Sequence, residues 1–267
     1  MPDAVEAAFA SATRMLFGKA LSPMRKYSAW LSSRVPAGKS VKSALGSGSA
    51  YIPDYAFFRE IPERRAVSFE SMGAAAGEAI QKPAGSFEAI AAGLGSFAYF
   101  VPTFEEGRNI GIENVAGCID CLNVRDSFDP FTTKNSAHCF SVMGSEAIFG
   151  TYRVVKSAFS LHCYNCVGMK RCFEMDGCKN CNDSMFCHNC EGMDNCMFCF
   201  NAKNLRYAIG NLELGKEKYP EARKRIVGRI LGELEAGGGL GFDIYNVLCR
   251  KGDGRASGLS RPSQARA

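Results

Sequence analysis

The chain has 267 residues, of which 46% are hydrophobic and 22% are charged, and its formal net charge is +5 at pH 7. This length and composition suit a globular protein with a sizeable core, and they argue against a wholly disordered chain. We find neither a run of about 20 apolar residues nor a signal-peptide pattern, so we expect no membrane contact. The expected location is the cytoplasm, or a virion if the protein is viral, and a reducing compartment disfavours disulfides.

The N-terminal third of the chain divides into three parts. Residues 1–35 are predicted to form a helical segment in two stretches, because apolar residues such as Val5 and Phe9 share one face and Ser22-Pro23 interrupts the pattern. Residues 36–49 are rich in Ser and Gly, which predicts a linker. Residues 50–111 mix aromatic residues with Gly-rich apolar runs, and we predict a mixed irregular region.

A period of three residues dominates the middle of the sequence. Twelve of the 13 cysteines lie between Cys118 and Cys199, and every one of their numbers leaves a remainder of 1 on division by three. Other positions of this phase hold apolar or small residues such as Val124, Met169 and Ala208, and none from 112 to 208 is charged. One side of a three-residue repeat is therefore apolar or small for almost a hundred residues.

This period indicates neither an α-helix nor a flat strand. A helix has 3.6 residues per turn, and the faces of a strand alternate every two residues. A narrow β-solenoid fits, because short strands joined by tight corners bring an inward position round about every third residue, with Asn and Gly at the corners. We therefore predict a mainly β protein, in which a central Cys-lined β-helix spans residues 112–211.

The coil length is less well defined by the sequence. Residues 172–181 match residues 190–199 at an offset of 18, whereas residues 163–172 match residues 187–196 at an offset of 24. An 18-residue coil predicts about five coils. It would also stack Cys178 and Cys181 directly on Cys196 and Cys199, about 4.8 Å away.

The cysteines admit three interpretations: metal ligands, disulfides or packing. Four thiolates stacked in this way could accept Zn²⁺ or an iron–sulfur cluster after small shifts. The predicted metal site is therefore Cys178, Cys181, Cys196 and Cys199, with a weaker group of Cys172, Cys187 and Cys190.

Packing is the interpretation we favour. Cys behaves as a small buried hydrophobic residue, and positions of the same phase hold Met175, Ser184 or Ala202 where Cys is missing. A true ligand set would not alternate with such residues. His138, His162 and His188 each adjoin a Cys, so we expect them to point outward and lie at the surface. On this interpretation the protein holds no cofactor, with zinc as the open alternative.

The C-terminal part of the chain is predicted to cap the solenoid and then form a tail. Tyr219, Ile230 and Leu234 lie at helical spacing, and a Gly run at 237–239 ends the pattern. Residues 212–249 are thus predicted to be a capping helix and docking segment, and residues 250–267 a basic tail. Because both chain ends are rich in Lys and Arg, nucleic-acid contact through the termini is a further alternative.

The segment where the repeat closes resembles an uncharacterised Cys-rich family of phage-like and candidate-phylum bacterial genomes. Members carry repeated Cys-x-x-Cys units followed by a segment of the type C-x-x-C-x-N-L-R-N-K-x-Y-x-I-x-N-K-x-Y. The matching residues are Cys196, Cys199, Asn204, Leu205, Arg206, Tyr207, Ile209, Asn211, Lys218 and Tyr219. This chain lacks the Asn-Lys-x after Arg and the N-terminal zinc-ribbon knuckles of some members. The resemblance covers roughly residues 112–226 and implies an architecture more than an activity, together with a virion or prophage origin. The virion we expect is that of a phage or an archaeal virus.

These observations predict a non-enzymatic structural protein. The sequence holds no nucleophile elbow, P-loop, dinucleotide fingerprint or zinc-protease motif. We expect a rigid solenoid that docks neighbouring subunits, either other structural proteins or copies of itself, in an assembly such as a virion. Metal binding through Cys-x-x-Cys pairs and nucleic-acid association are the alternatives.

Overall fold

The computed structural model describes residues 3–36, 38–73, 86–95 and 98–248. The predicted basic tail, residues 250–267, lies outside these ranges. The described part consists of a central β-solenoid with helices packed along its side and at its C-terminal end. The four α-helices are α1 (Ala4–Phe17), α2 (Ser28–Leu31), α3 (Phe87–Leu94) and α4 (Gly215–Gly237). Short 3-10 helices lie at Met24–Tyr27, Ser32–Arg34, Ala56–Phe58, Glu63–Arg65 and Phe69–Ser71.

Two strands precede the solenoid. They are β1 (Gly38–Lys42) and β2 (Ser49–Pro53), which pair antiparallel as a hairpin. The sequence predicted a linker over residues 36–49. In the structure most of this segment belongs to the hairpin instead.

The remaining strands form the solenoid. They are β3 (Glu105–Glu106), β4 (Ile110–Ala116), β5 (Cys118–Ile119), β6 (Leu122–Phe131), β7 (Lys134–Met143), β8 (Glu146–Val155), β9 (Ala158–Val167), β10 (Phe173–Asp176), β11 (Met185–His188), β12 (Asp194–Met197), β13 (Arg206–Ile209) and β14 (Leu212–Glu213). Pairing is parallel from β3 to β13, and β14 turns back antiparallel on β13. The predicted mainly β fold with helical ends is confirmed.

Each coil of the solenoid contains 12 residues. From β4 to β13 the strand register joins each residue to the one 12 positions further on, as Met175 is joined to Cys187. About nine turns follow from this register. The coil length of 18 residues and the count of five coils predicted from the sequence are therefore wrong.

Three-residue units build every coil. Each residue whose number is divisible by three, from Gly111 to Gly210, has a positive φ, and most of these residues are Gly, Asn or Asp. Such a left-handed residue turns the chain, and these three residue types adopt that conformation at low cost. The prediction that Asn and Gly occupy corners is thereby confirmed, and four corners close one coil.

The residue after each corner points into the solenoid. With four units per coil, the inward residues form four columns along the axis, and residues 12 apart are neighbours within a column. Cys139, Val154, Met169 and Cys181 are among these inward residues and are at most 1% exposed. The predicted apolar phase is thus the core of the solenoid.

The N-terminal helical segment packs along one wall of the solenoid. Asp3 begins α1 by accepting a hydrogen bond from the Val5 N–H at 3.0 Å, and Gly18 ends the helix in a left-handed conformation. Apolar residues of α1 and of residues 21–31 share one core with outward residues of β7 to β12, including Phe149 and Phe173. The predicted apolar face of the first helix is confirmed.

Helix α4 caps the C-terminal end of the solenoid, as the sequence predicted. It packs on β13, and the ring of Tyr219 contacts that of Tyr207. Tyr219, Ile230 and Leu234 are buried, and Gly238 ends the helix in a left-handed conformation.

Candidate functional site

The 12-residue register separates the pair Cys178 and Cys181 from the pair Cys196 and Cys199, although the two thiols within each pair interact. Cys178, Cys181, Cys196 and Cys199 lie in four different columns, because their numbers differ by 3, 15, 18 and 21, and none of these is a multiple of 12. Cys199 is the column neighbour of Cys187. The predicted stack of Cys178 and Cys181 on Cys196 and Cys199 is therefore wrong.

The weaker predicted group is also divided. Cys172 has Ser184 as its column neighbour, whereas the thiols of Cys187 and Cys190 interact with each other. Among the described residues, no group of three or more His, Cys, Asp or Glu side chains is arranged to hold a metal ion.

Most inward thiols form hydrogen bonds to the backbone of the wall, whereas Cys118 donates to the side-chain carbonyl of Asn109. Cys178 donates to the Asp176 carbonyl at 3.3 Å and to the Cys187 carbonyl at 3.4 Å, two and nine residues away. Its sulfur also accepts from the backbone N–H of Cys190 at 3.4 Å. The same two carbonyl positions serve Cys139, Cys163, Cys166 and Cys172.

Serine hydroxyls form the same two kinds of hydrogen bond to the backbone at equivalent positions. Ser184 donates to the Asn182 carbonyl at 2.7 Å and accepts from the Cys196 N–H at 3.2 Å. An inward residue's N–H points into the core, where strand pairing does not supply an acceptor, and leaving such a group unpaired costs about 1–3 kcal/mol. Cys and Ser supply this acceptor while remaining small enough for the interior. The alternation of Cys with Ser in one phase was the sequence signal for this role.

Burial makes the thiols of Cys139, Cys163 and Cys172 poor nucleophiles. It raises the pKa of Cys139 to about 11 and raises the pKa values of Cys163 and Cys172 as well. The ordinary value is near 9. Because only the thiolate attacks electrophiles or binds soft metals, the wall holds these three groups in their unreactive form. Hydrogen bonds from neighbouring thiols instead lower the pKa values of Cys181, Cys190 and Cys199.

A buried polar cluster outside the solenoid was not predicted from the sequence. His162 Nδ1 lies 2.8 Å from the Tyr164 hydroxyl and 3.1 Å from Glu174 Oε1, and the indole of Trp30 stacks on the imidazole with ring centroids 4.2 Å apart. Glu174 Oε2 accepts from the backbone N–H of Ile244 at 3.0 Å. The cluster thus joins the solenoid wall to the N-terminal segment and to the segment after α4.

This cluster corrects the prediction for two of the three histidines. His138 and His162 point out of the solenoid as expected, but they are only 8% and 1% exposed because other segments cover the wall. His188 is partly exposed and pairs with Asp176, with Nδ1 and Oδ2 3.0 Å apart. Burial lowers the pKa of His138.

The outer surface of the solenoid carries one uncovered apolar column. Its five members follow one another in strand register and are Ile119, Phe131, Met143, Val155 and Val167. We call these five residues the apolar strip. Met143 and Val167 are 50% and 40% exposed, and none of the five belongs to a hydrophobic core cluster of the described residues.

Fold and site together define a narrow β-solenoid with 12-residue coils, a hydrogen-bonded thiol interior and one apolar outer strip. Comparison with protein-family models, with curated proteins and with solved structures finds no match. The resemblance to a Cys-rich phage-associated family stays a prediction. No helix of the described ranges is both long enough and apolar enough to span a membrane.

Proposed function

We propose that this protein is a non-enzymatic structural module, a rigid solenoid that docks neighbouring subunits in a larger assembly such as a virion. One observation carries the proposal: the wall turns its reactive side chains inward and presents a straight apolar strip outward. Residues along the strip repeat about every 4.8 Å, and a regular surface of this kind suits a protein partner.

Rigidity supports the same function. Every coil is joined to the next by backbone hydrogen bonds, and several inward N–H groups donate to thiols or hydroxyls across the core. Such a body can hold two partners at a fixed distance and angle, because its coils do not move independently.

Cross-linking in the source organism tests this proposal. Intact cells or particles are treated with an amine-reactive cross-linker, and the cross-linked peptides are identified by mass spectrometry. We expect links from Lys156 and Lys179, which lie beside or in line with the strip, to other protein chains. Recovery of the protein as a free monomer without such links would contradict a structural role.

Metal binding is the alternative that thiol contacts favour. Cys187 interacts with the thiols of Cys190 and Cys199, so soft cations would meet several sulfurs within a short distance. Binding would have to replace the hydrogen bonds that these thiols make with the backbone. A nucleic-acid role has less support, since Lys19, Arg34 and Lys39 of the basic N-terminal part form ion pairs within the chain.

A further inference from the structure

The apolar strip is bounded by charges of opposite sign. In strand register, Glu106 precedes Ile119, and Lys179 follows Val167. From Glu106 to Lys179 the column therefore reads Glu, Ile, Phe, Met, Val, Val, Lys, with Met143 at the centre of this stretch, and Glu191 and Lys203 continue it beyond Lys179. Glu106 and Lys179 are both exposed, and neither forms an ion pair with another described residue.

We propose that the apolar strip binds the strip of a second copy of this chain, related by a two-fold axis that passes beside Met143 and runs across the strip. This inference rests on the proposed docking function and identifies a second copy of the chain as the subunit that is docked. The axis reverses the column, so Ile119 faces Val167 of the other copy, Phe131 faces Val155, and Met143 faces itself. An interface with two-fold symmetry needs such a self-complementary surface.

Charge complementarity selects this arrangement. The axis places Glu106 of each copy opposite Lys179 of the other, at both ends of the strip. The corner residues beside the strip also favour the antiparallel arrangement. Ser141 is the corner next to Met143, Asp129 lies one coil before it and Arg153 one coil after it. The same axis therefore places Asp129 of one copy opposite Arg153 of the other.

The parallel arrangement is disfavoured by the same residues. An axis along the solenoid would put Glu106 opposite Glu106 and Lys179 opposite Lys179, and it would bring Arg153 beside Lys156 at one level. Like charges in such positions cost free energy and suppress the arrangement. The antiparallel pairing removes these three repulsions.

The size of the strip sets the expected affinity. From Glu106 to Lys179 it crosses six coil spacings, or about 29 Å, and with its flanking corners it would bury roughly 700 Å² in total. This area lies in the range of weak complexes, so we expect a dissociation constant in the micromolar range.

Analytical ultracentrifugation of the full chain tests the inference. Protein concentrations between about 1 and 200 µM cover the dissociation constant expected from the interface size. We expect a monomer–dimer equilibrium in the wild type and at least tenfold weaker association for Glu106→Lys and for Lys179→Glu, since each creates two repulsive contacts per dimer. The double variant should restore association, and an equimolar mixture of the two single variants should form a heterodimer. Met143→Asp should abolish the dimer.

Lys170→Glu serves as the matched control, because Lys170 is exposed on a different outward column. Circular dichroism verifies that each variant is folded. A wild type that stays monomeric at 200 µM overturns the inference, as do single variants that associate normally or a double variant that stays weak. Cross-links to other proteins in the source organism would still support the proposed structural function in each of these cases.

Discussion

The backbone N–H of Cys190 donates a hydrogen bond to the thiol of Cys178, which lies one coil earlier, with nitrogen and sulfur 3.4 Å apart. The relationship repeats along the interior, with Ser160 serving Cys172 and Ser184 serving Cys196. The interior Cys and Ser side chains therefore do more than fill space, since they continue the hydrogen bonding of the wall across the core.

The first prediction concerns this role of Ser184. Replacing it with Ala removes the acceptor of the buried Cys196 N–H, which should lower the free energy of unfolding by about 1–3 kcal/mol. Ser184→Cys is the matched control and should lose less than about 1 kcal/mol, because a thiol can accept the same bond. Urea denaturation followed by circular dichroism measures both. Equal losses for the two variants would mean that volume alone matters at this position.

The second prediction concerns the thiols and metal. Protein purified without chelator should contain far less than one zinc or iron per chain, and its interior thiols should react with a thiol reagent only after unfolding. Elemental analysis and a thiol count before and after denaturation measure these two quantities. About one equivalent of bound metal, lost on replacing Cys187, Cys190 or Cys199, would instead establish the metal alternative.

The third prediction is a loss of stability at alkaline pH. The Cys139 pKa is raised from about 9 to about 11 in the folded chain, so above pH 9 the unfolded chain loses a proton that the folded chain keeps. This contribution is present in full below pH 9 and is lost as the pH rises towards 11, at about 1.4 kcal/mol per pH unit for each such thiol.

Urea denaturation in reductant at pH 8, 9 and 10 gives this slope. Cys139→Ser should reduce the slope by the contribution of one thiol, since a hydroxyl does not titrate there. An unchanged slope in the variant would show that Cys139 ionises alike in both states.

The fourth prediction concerns the buried cluster around His162. Glu174→Ala removes the acceptor of the Ile244 N–H, so the segment after α4 should exchange its amide hydrogens at least tenfold faster. Peptides from β7 and β8 should remain protected from amide hydrogen exchange, which is measured by mass spectrometry. Trp30 is the chain's one Trp and stacks on His162, so its fluorescence should change as well.

Glu191→Ala is the control for this experiment. Glu191 forms an exposed ion pair with Lys203, and exposed pairs contribute little stability. Normal exchange around Ile244 in Glu174→Ala would show that the carboxylate does not hold that segment.

The wall of the solenoid could be predicted from the sequence because its three-residue unit repeats without interruption. Inward positions exclude charge, and corners favour Asn, Asp and Gly, so both signals are local. The coil length is a different matter. All four inward positions of a coil accept the same small residues, so similarity between segments at offsets of 18 or 24 does not identify the column neighbour. The column neighbour is identified by the number of corners that close one coil. This number is four, and it is a property of the folded chain.

The site was predictable only in part for a related reason. That His162 points outward follows from its place beside Cys163, and the structure confirms this. Its burial depends on Trp30, which is distant in sequence and approaches only when the N-terminal segment packs on the wall. Contacts of this kind have no local sequence pattern. The separation of Cys178 from Cys199 likewise depends on the coil length.

The left-handed corner at every third residue also restricts how such a chain can change in length. Loss of one residue inside the solenoid would move every later side chain from the interior to a corner or to the outside. Loss of three would keep the inward phase but turn all later faces by a quarter, carrying part of the apolar strip onto another wall. Only the gain or loss of a whole 12-residue coil leaves every column intact, so this architecture should evolve in length by whole coils.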